Sequence, residues 1–300
     1  MKLVKGIGLP LLQQFLEERP EYRIYDYSST TKFEECAARY RYVFEESLAD
    51  LESRPALFSS CLIHPPLAFW YSHKGKPWNG RDWESAWALF TAKVGGIPAT
   101  PRDALYTKDV AMQAVSAYTS RYTLDHSNYV FINTETVYWF VVPGVDNAVW
   151  VAKPDLVLAR QDKELVTFDF KSSLYSFGMN LVDFDRQFLG QVYATGAKHM
   201  CKAFIQLPSA YNEGLRITRD VLPVDKQLLD EWLQDAQRLI KEIQGARSSK
   251  VWIKRAPEAC TKYNRMCTFV DLCKLGKLRD SMFTTWKKAT PFGYLENPNA

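Results

Sequence analysis

The middle of the chain constrains its fold most. From Tyr129 to Val142 and from Ala148 to Leu158 the sequence is dense in Val, Ile, Tyr, Phe and Trp, and Pro143-Gly144 with Asp146-Asn147 punctuate the gap. β-Branched and aromatic side chains bounded by turn residues mark strands. A third run, Leu165 to Phe170, follows the polar stretch Arg160-Gln161-Asp162-Lys163-Glu164, and a hairpin is the economical connection. The flanks have another period. Phe33, Cys36, Ala37, Tyr40 and Phe44 recur at helical spacing behind Thr31 and Glu34, a capping-box pair, and predict a helix over 32–48. Helices are also expected over 83–93, 106–122, 184–200 and 225–243, with strands at 201–206 and 215–221. This order predicts an α/β chain: a central mixed β-sheet flanked by helices, with N- and C-terminal helical extensions. No repeat or long linker divides the 300 residues, so one domain is expected, its core over about 105–225 and its extensions over 26–104 and 226–280.

Hydrophobic residues make up 47% of the chain and charged residues 24%, which excludes disordered and fibrous classes. The longest apolar stretch, around Val137 to Val142, is far short of the ~20 residues of a membrane-spanning helix. Lys2 and Lys5 precede a short apolar run that leads to Gln13 and Gln14 and to no small-residue cleavage site, so no signal peptide is read. The expectation is a cytoplasmic chain with reduced thiols, whose six cysteines serve better as ligands than as a disulfide scaffold. Net charge is only +4, yet residues 238–288 hold thirteen Lys or Arg against four acids. Such a stretch attracts polyanions such as a DNA backbone; a solvated, lysine-rich helical surface accounts for it equally well. No glycine-rich phosphate loop is present, which argues against ATP-driven work in this chain.

Two acids and a lysine interrupt the apolar strands. Asp155 follows Lys153-Pro154, and Asp169 and Lys171 flank Phe170. Side chains alternate along a strand, so Asp169 and Lys171 share a face, and a hairpin turning near Asp162 sets Asp155 beside them. Burying such charges costs several kcal/mol unless a ligand or partner compensates. Hard carboxylate oxygens suit Mg²⁺ or Mn²⁺, with water and substrate phosphate completing the shell. Such an ion activates water and polarises phosphorus, which is the chemistry of phosphodiester hydrolysis, and Lys171 would orient the water or neutralise developing charge. The plain alternative is an Asp-x-Lys pair on an edge strand that satisfies itself.

Asp155 together with Asp169 and Lys171 resembles the core motif of the PD-(D/E)XK nuclease superfamily, and within it the RecB-like exonuclease branch found in recombination nucleases, CRISPR-associated nucleases and phage proteins. The resemblance covers roughly residues 26–275, most strongly 133–195. It implies a restriction-endonuclease-like core, metal held by Asp155, Asp169 and the Phe170 carbonyl, and an assisting acid on the preceding strand at Glu135. It also implies a Gln-x-x-x-Tyr element on the following helix. Here Gln187, Gln191 and Tyr193 stand at a different spacing, with the two glutamines on one helix side and Tyr193 out of register. The family's upstream Gly-x-x-x-His is not matched: Gly80-Arg81-Asp82-Trp83-Glu84 carries Glu in its place, and His126 lies outside such a context.

Cys260, Cys267 and Cys273 cluster near the end of the chain, and Thr268 with Asp271 places Cys267 just outside a short helix and Cys273 within it. In relatives with an iron–sulfur cluster one cysteine lies far upstream in a Ser-rich, Phe-x-x-Cys context, which Phe33-Glu34-Glu35-Cys36 resembles. The resemblance therefore implies a [4Fe–4S] site formed by Cys36, Cys260, Cys267 and Cys273, although six residues precede Cys267 where the family has two. Zinc in a Cys₄ site and simple buried thiols remain open readings. Cys61 and Cys201 are read as core residues.

The implied function is a Mg²⁺-dependent deoxyribonuclease, an exonuclease of recombination, repair or phage DNA processing. Its partners would be DNA, single- or double-stranded, and a recombination or single-strand-annealing protein. A nuclease fold that binds nucleic acid without cutting is the alternative, disfavoured because converging carboxylates repel phosphate. An unrelated metalloenzyme or a redox protein built on the cysteines is the third reading.

Overall fold

In the computed structural model the described residues are 4–50, 60–94, 108–173, 185–207, 214–254, 257–261, 266–275, 286–288 and 292. Along the chain they form β1 (Lys5–Ile7), α1 (Leu9–Glu18), β2 (Arg23–Tyr25), α2 (Tyr27–Glu35), α3 (Ala37–Tyr40, continued by a π-helical turn over Arg41–Glu45) and β3 (Leu48–Asp50). Next come α4 (Ser60–Ser72), α5 (Gly80–Val94), α6 (Lys108–Arg121) and α7 (Asp125–Asn128). The strands β4 (Tyr129–Thr134), β5 (Tyr138–Val141), β6 (Ala148–Ala152), β7 (Leu156–Arg160) and β8 (Leu165–Ser173) follow. They lead to α8 (Arg186–Thr195), β9 (His199–Gln206), β10 (Arg216–Pro223), α9 (Lys226–Ser249), α10 (Val270–Leu275) and β11 (Trp286–Lys288). No helix among the described residues is long and apolar enough to cross a membrane.

The architecture is α/β, with mixed sheets flanked by helices, and the chain divides into two compact units. One comprises residues 1–52, 137–152 and 227–300; the other comprises 53–136 and 153–226. The first unit holds a four-stranded sheet in the order β1-β5-β6-β2, with β2 parallel to β6. The second holds a five-stranded sheet in the order β10-β9-β8-β7-β4, in which β8 and β9 run parallel on either side of α8 in sequence and the other pairs are antiparallel.

Each long strand expected from the sequence is cut in two, which replaces one central sheet by two. The run from Tyr129 breaks at Glu135, whose φ of 50° is in the left-handed region that non-glycine residues seldom enter. The run from Ala148 breaks at Lys153-Pro154, because proline has no N–H to continue the ladder. Both breaks fall on polar residues, Thr134-Glu135-Thr136 and Lys153-Pro154-Asp155, while the apolar runs on either side are alike, so the pattern does not show that they join different sheets.

Helix ends differ from expectation for equally local reasons. The expected helix over 32–48 is α2 and α3, separated by the extended backbone of Cys36. Its cap is Asp26, not Thr31: Asp26 Oδ1 accepts from the Ser29 amide at 2.7 Å, and the Asp26 amide donates to Ser29 Oγ at 2.9 Å. The helix expected over 184–200 stops at Thr195, because Gly196 takes the left-handed conformation of a helix C-cap.

In the second unit β8 is two-faced. Phe168 and Phe170 are fully buried in a core with Leu67, Trp70, Phe90 and Tyr118 from α4, α5 and α6. Asp169 and Lys171, pointing the other way, reach residues of α8. Helix α4 contains Pro65 and Pro66, each of which costs ~3 kcal/mol in a helix interior. Burial of Leu62, Ile63, Leu67, Trp70 and Tyr71 from the same helix offsets this at ~1.5–3 kcal/mol per large side chain.

Candidate active site

The site is built within the second unit. Antiparallel pairing sets Leu156 opposite Phe168, and one step along the same register Asp155 comes level with Asp169. The Phe170 amide donates to Asp155 Oδ2 at 2.6 Å, and Asp155 Oδ1 faces His64 Nδ1 of α4 at 3.2 Å. Glu135 joins them from the corner after β4, where its amide donates to the Asp155 carbonyl at 3.2 Å. One ligand atom from each of His64, Glu135 and Asp155 lies within 4.8 Å of the other two, and among the described residues no other such set of histidine, cysteine or acidic groups occurs. An imidazole nitrogen and two carboxylate oxygens at this spacing fit a divalent cation.

Asp169 stands beside this set in a hydrogen-bonded cradle. Its Oδ2 is 2.7 Å from Lys171 Nζ, and its Oδ1 accepts from Gln187 Nε2 at 3.0 Å and Gln191 Nε2 at 3.3 Å. Gln187 Oε1 in turn accepts from Lys171 Nζ at 3.0 Å. The two glutamines reach the same oxygen because residues four apart share a helix face. Asp185 caps α8 through the Gln187 amide at 2.9 Å, fixing the first turn that carries Gln187.

Burial and charge work against each other throughout. Burial disfavours a charged His64, but Asp155 prevails and holds the imidazole above its ordinary value. For Asp155 burial is likewise outweighed, by His64, Lys171 and the Phe170 amide, and its carboxyl is held below the usual range. Glu135 and Asp169 are both pushed up, by burial first; Lys153 and Lys171 respectively oppose this, and Asp155 adds to it in each case. Lys171 is held above its ordinary value because Asp169 and Asp155 outweigh its burial.

Of the residues expected from the sequence, Glu135, Asp155, Phe170, Asp169, Lys171, Gln187 and Gln191 come together. Tyr193 is two residues past Gln191, about 200° around the helix from it, and so on another side of α8. The position that the resemblance left vacant is filled by His64, which the sequence reading missed. Glu84 is exposed and pairs with Lys108, and His126 packs its ring 4.2 Å from Trp70, so neither replaces it. The Pro65-Pro66 pair reads as a helix breaker and hid the helix that presents His64; a histidine one turn before Leu67, on an otherwise apolar segment, was the available signal.

The four cysteines lie in the first unit. Cys36, Cys267 and Cys273 pack around Ala38, Tyr42, Leu48, Phe269 and Leu272, and the Cys267 amide donates to the Cys260 carbonyl at 2.6 Å. Burial pushes the Cys267 and Cys273 thiols up, while the Tyr42 hydroxyl hydrogen-bonded to Cys273 opposes this. No three of these sulfurs lie within 4.8 Å of one another, whereas tetrahedral zinc with Zn–S bonds of ~2.3 Å holds its sulfurs about 3.8 Å apart. Cys201 is fully buried in the second unit's core, as expected; the side chain of Cys61 is outside the described residues.

No protein-family model matches the chain, and no curated protein matches it. Among solved structures, a protein from Eubacterium rectale described as an exonuclease is 13% identical, with 80% of this chain and 86% of that chain covered at a TM-score of 0.49. An alkaline exonuclease from Laribacter hongkongensis is 10% identical, covering 69% of this chain and 96% of that one at 0.27. A phage-related exonuclease from Haemophilus somnus is 11% identical, covering 66% and 97% at 0.26. Likeness at these scores does not assign a function, and the functional reading stands on the site's own residues.

Proposed function

We propose that the chain is a metal-dependent deoxyribonuclease that hydrolyses phosphodiester bonds, acting as an exonuclease in recombination, repair or phage DNA processing. The observation that carries this is the donor set His64, Glu135 and Asp155 standing next to an Asp169–Lys171 pair. A Mg²⁺ or Mn²⁺ ion held by His64, Glu135 and Asp155, with Asp169 and the Phe170 carbonyl beside it, would supply a Lewis acid and lower the pKa of bound water. The protein's own groups do the rest. The Phe170 amide fixes Asp155 in orientation, and Gln187 and Gln191 hold Asp169 against Lys171. The Lys171 ammonium, more than a third exposed, is the group able to meet a phosphate oxygen and neutralise charge as it develops there. The basic stretch over 238–288 supports DNA as the polyanion.

The test is incubation of DNA labelled at the 5′ or 3′ end, single- and double-stranded, with Mg²⁺, Mn²⁺ or EDTA. Metal-dependent shortening from one end, absent in Asp155→Ala and Asp169→Ala proteins that still fold, is expected. Metal-dependent binding without cutting would instead favour a silent DNA-binding subunit.

The cysteines add a cofactor to this reading. Thiols from two distant segments gather in one neighbourhood, and the resemblance implies that they would hold an iron–sulfur cluster. Anaerobic purification should give a brown protein with about four irons per chain, reduced in Cys36→Ser; a colourless, iron-free protein would remove the cluster.

A further inference from the structure

The site contains a second lysine to which the hydrolytic reading gives no task. Lys153 lies at the break between β6 and β7, two residues before Asp155, with its side chain only 12% exposed. Its Nζ is 2.9 Å from Glu135 Oε2, so a buried ammonium is fixed against one of the three groups that surround the candidate ion position. Its carboxylate partner is held at a strained corner, with φ at 50°. A long, flexible side chain loses rotamer freedom in such a place, and a cation beside a cation site lowers that site's affinity.

The charges give the arrangement a purpose. Glu135, Asp155 and Asp169 bring three negative charges; Lys153 and Lys171 bring two positive ones; a ligating His64 is neutral. With His64 counted as the neutral ligand it would be, the side chains sum to one negative charge, a divalent ion makes the sum one positive, and one phosphodiester charge returns it to zero. Without Lys153 the ion alone reaches neutrality. Resting on the nuclease reading above, we infer that Lys153 couples metal loading to DNA: it holds Glu135 in place and keeps ion affinity low until a phosphodiester arrives. The coupling is reciprocal, so the ion must strengthen DNA binding by the same factor.

The test is Mn²⁺ binding followed by electron paramagnetic resonance of the free ion, with and without a phosphorothioate oligodeoxynucleotide, which keeps the charge and resists hydrolysis. In the unaltered protein the oligonucleotide should tighten Mn²⁺ binding at least fivefold. Lys153→Met and Lys153→Gln should bind Mn²⁺ at least fivefold more tightly without DNA and gain less than twofold from it, whereas Lys153→Arg should behave like the unaltered protein. Thermal melting of each variant checks folding, and the glutamine variant keeps a donor for Glu135 if the methionine variant does not fold. Mn²⁺ affinity in the neutral variants equal to or weaker than in the unaltered protein overturns the inference. If Asp155→Ala binds Mn²⁺ as well as the unaltered protein does, the metal site itself is misplaced and the nuclease reading falls first.

Discussion

His64 Nδ1 lies 3.2 Å from Asp155 Oδ1, joining a helix and a strand end that are far apart in sequence. An ion held by both residues would replace this direct contact. His64→Ala should therefore lose more cleavage than the ~10–100-fold associated with removing an outer partner of a metal ligand. Mn²⁺ titration of end-labelled DNA cleavage measures it. Undiminished activity would exclude His64 from the site.

Gln187 and Gln191 act one step out, through Asp169. Gln187→Ala should reduce activity or metal affinity by ~10–100-fold while leaving the fold intact. Cleavage rates and Mn²⁺ affinity measured beside the unaltered protein decide; no loss in either would contradict the geometry.

The His64–Asp155 pair also gives the metal-free protein a characteristic stability profile. His64 titrates above its ordinary value when folded, so its contribution is present below about pH 6.5 and is lost as pH rises through the raised value. Asp155 titrates below its ordinary value, so its contribution is present above about pH 3.9 and is lost as pH falls through the lowered one. Urea unfolding in EDTA should show this pair's stabilisation between those limits and its decline above them. His64→Gln should flatten the alkaline side; an identical decline in that variant would assign it to another group.

How much of this was legible in the sequence depends on whether local or long-range physics decides each position. Strand alternation sufficed to bring Asp155, Asp169 and Lys171 together, and four-residue helix spacing placed Gln187 and Gln191. The breaks at Glu135 and Lys153-Pro154 fall on polar residues and a proline, but the apolar runs on either side are alike, so it was not legible that they enter different sheets. His64 was hidden by two prolines whose local preference is overruled by burial of the helix.

That burial includes a polar network with a stability consequence. Arg219 of β10 and Asp125 of α7 form a buried pair, with Arg219 Nη2 2.9 Å from Asp125 Oδ1, and the hydroxyls of Tyr71 and Tyr118 join them. Arg219→Ala leaves a buried carboxylate uncompensated and should destabilise the protein by ~3–5 kcal/mol. Chemical denaturation measures this; a loss under about 1 kcal/mol, the range of exposed pairs, would show that water reaches the pair.

The prolines of α4 bear on when the site comes into being. A residue before proline is disfavoured in helical conformation, and His64 is that residue; Pro65 and Pro66 have no N–H for the carbonyls of Cys61 and Leu62. The segment's own helix propensity is low, and its packing against the sheet offsets that. In the nuclease reading, a chain whose strands had formed but whose helix had not docked would hold the carboxylates without the imidazole.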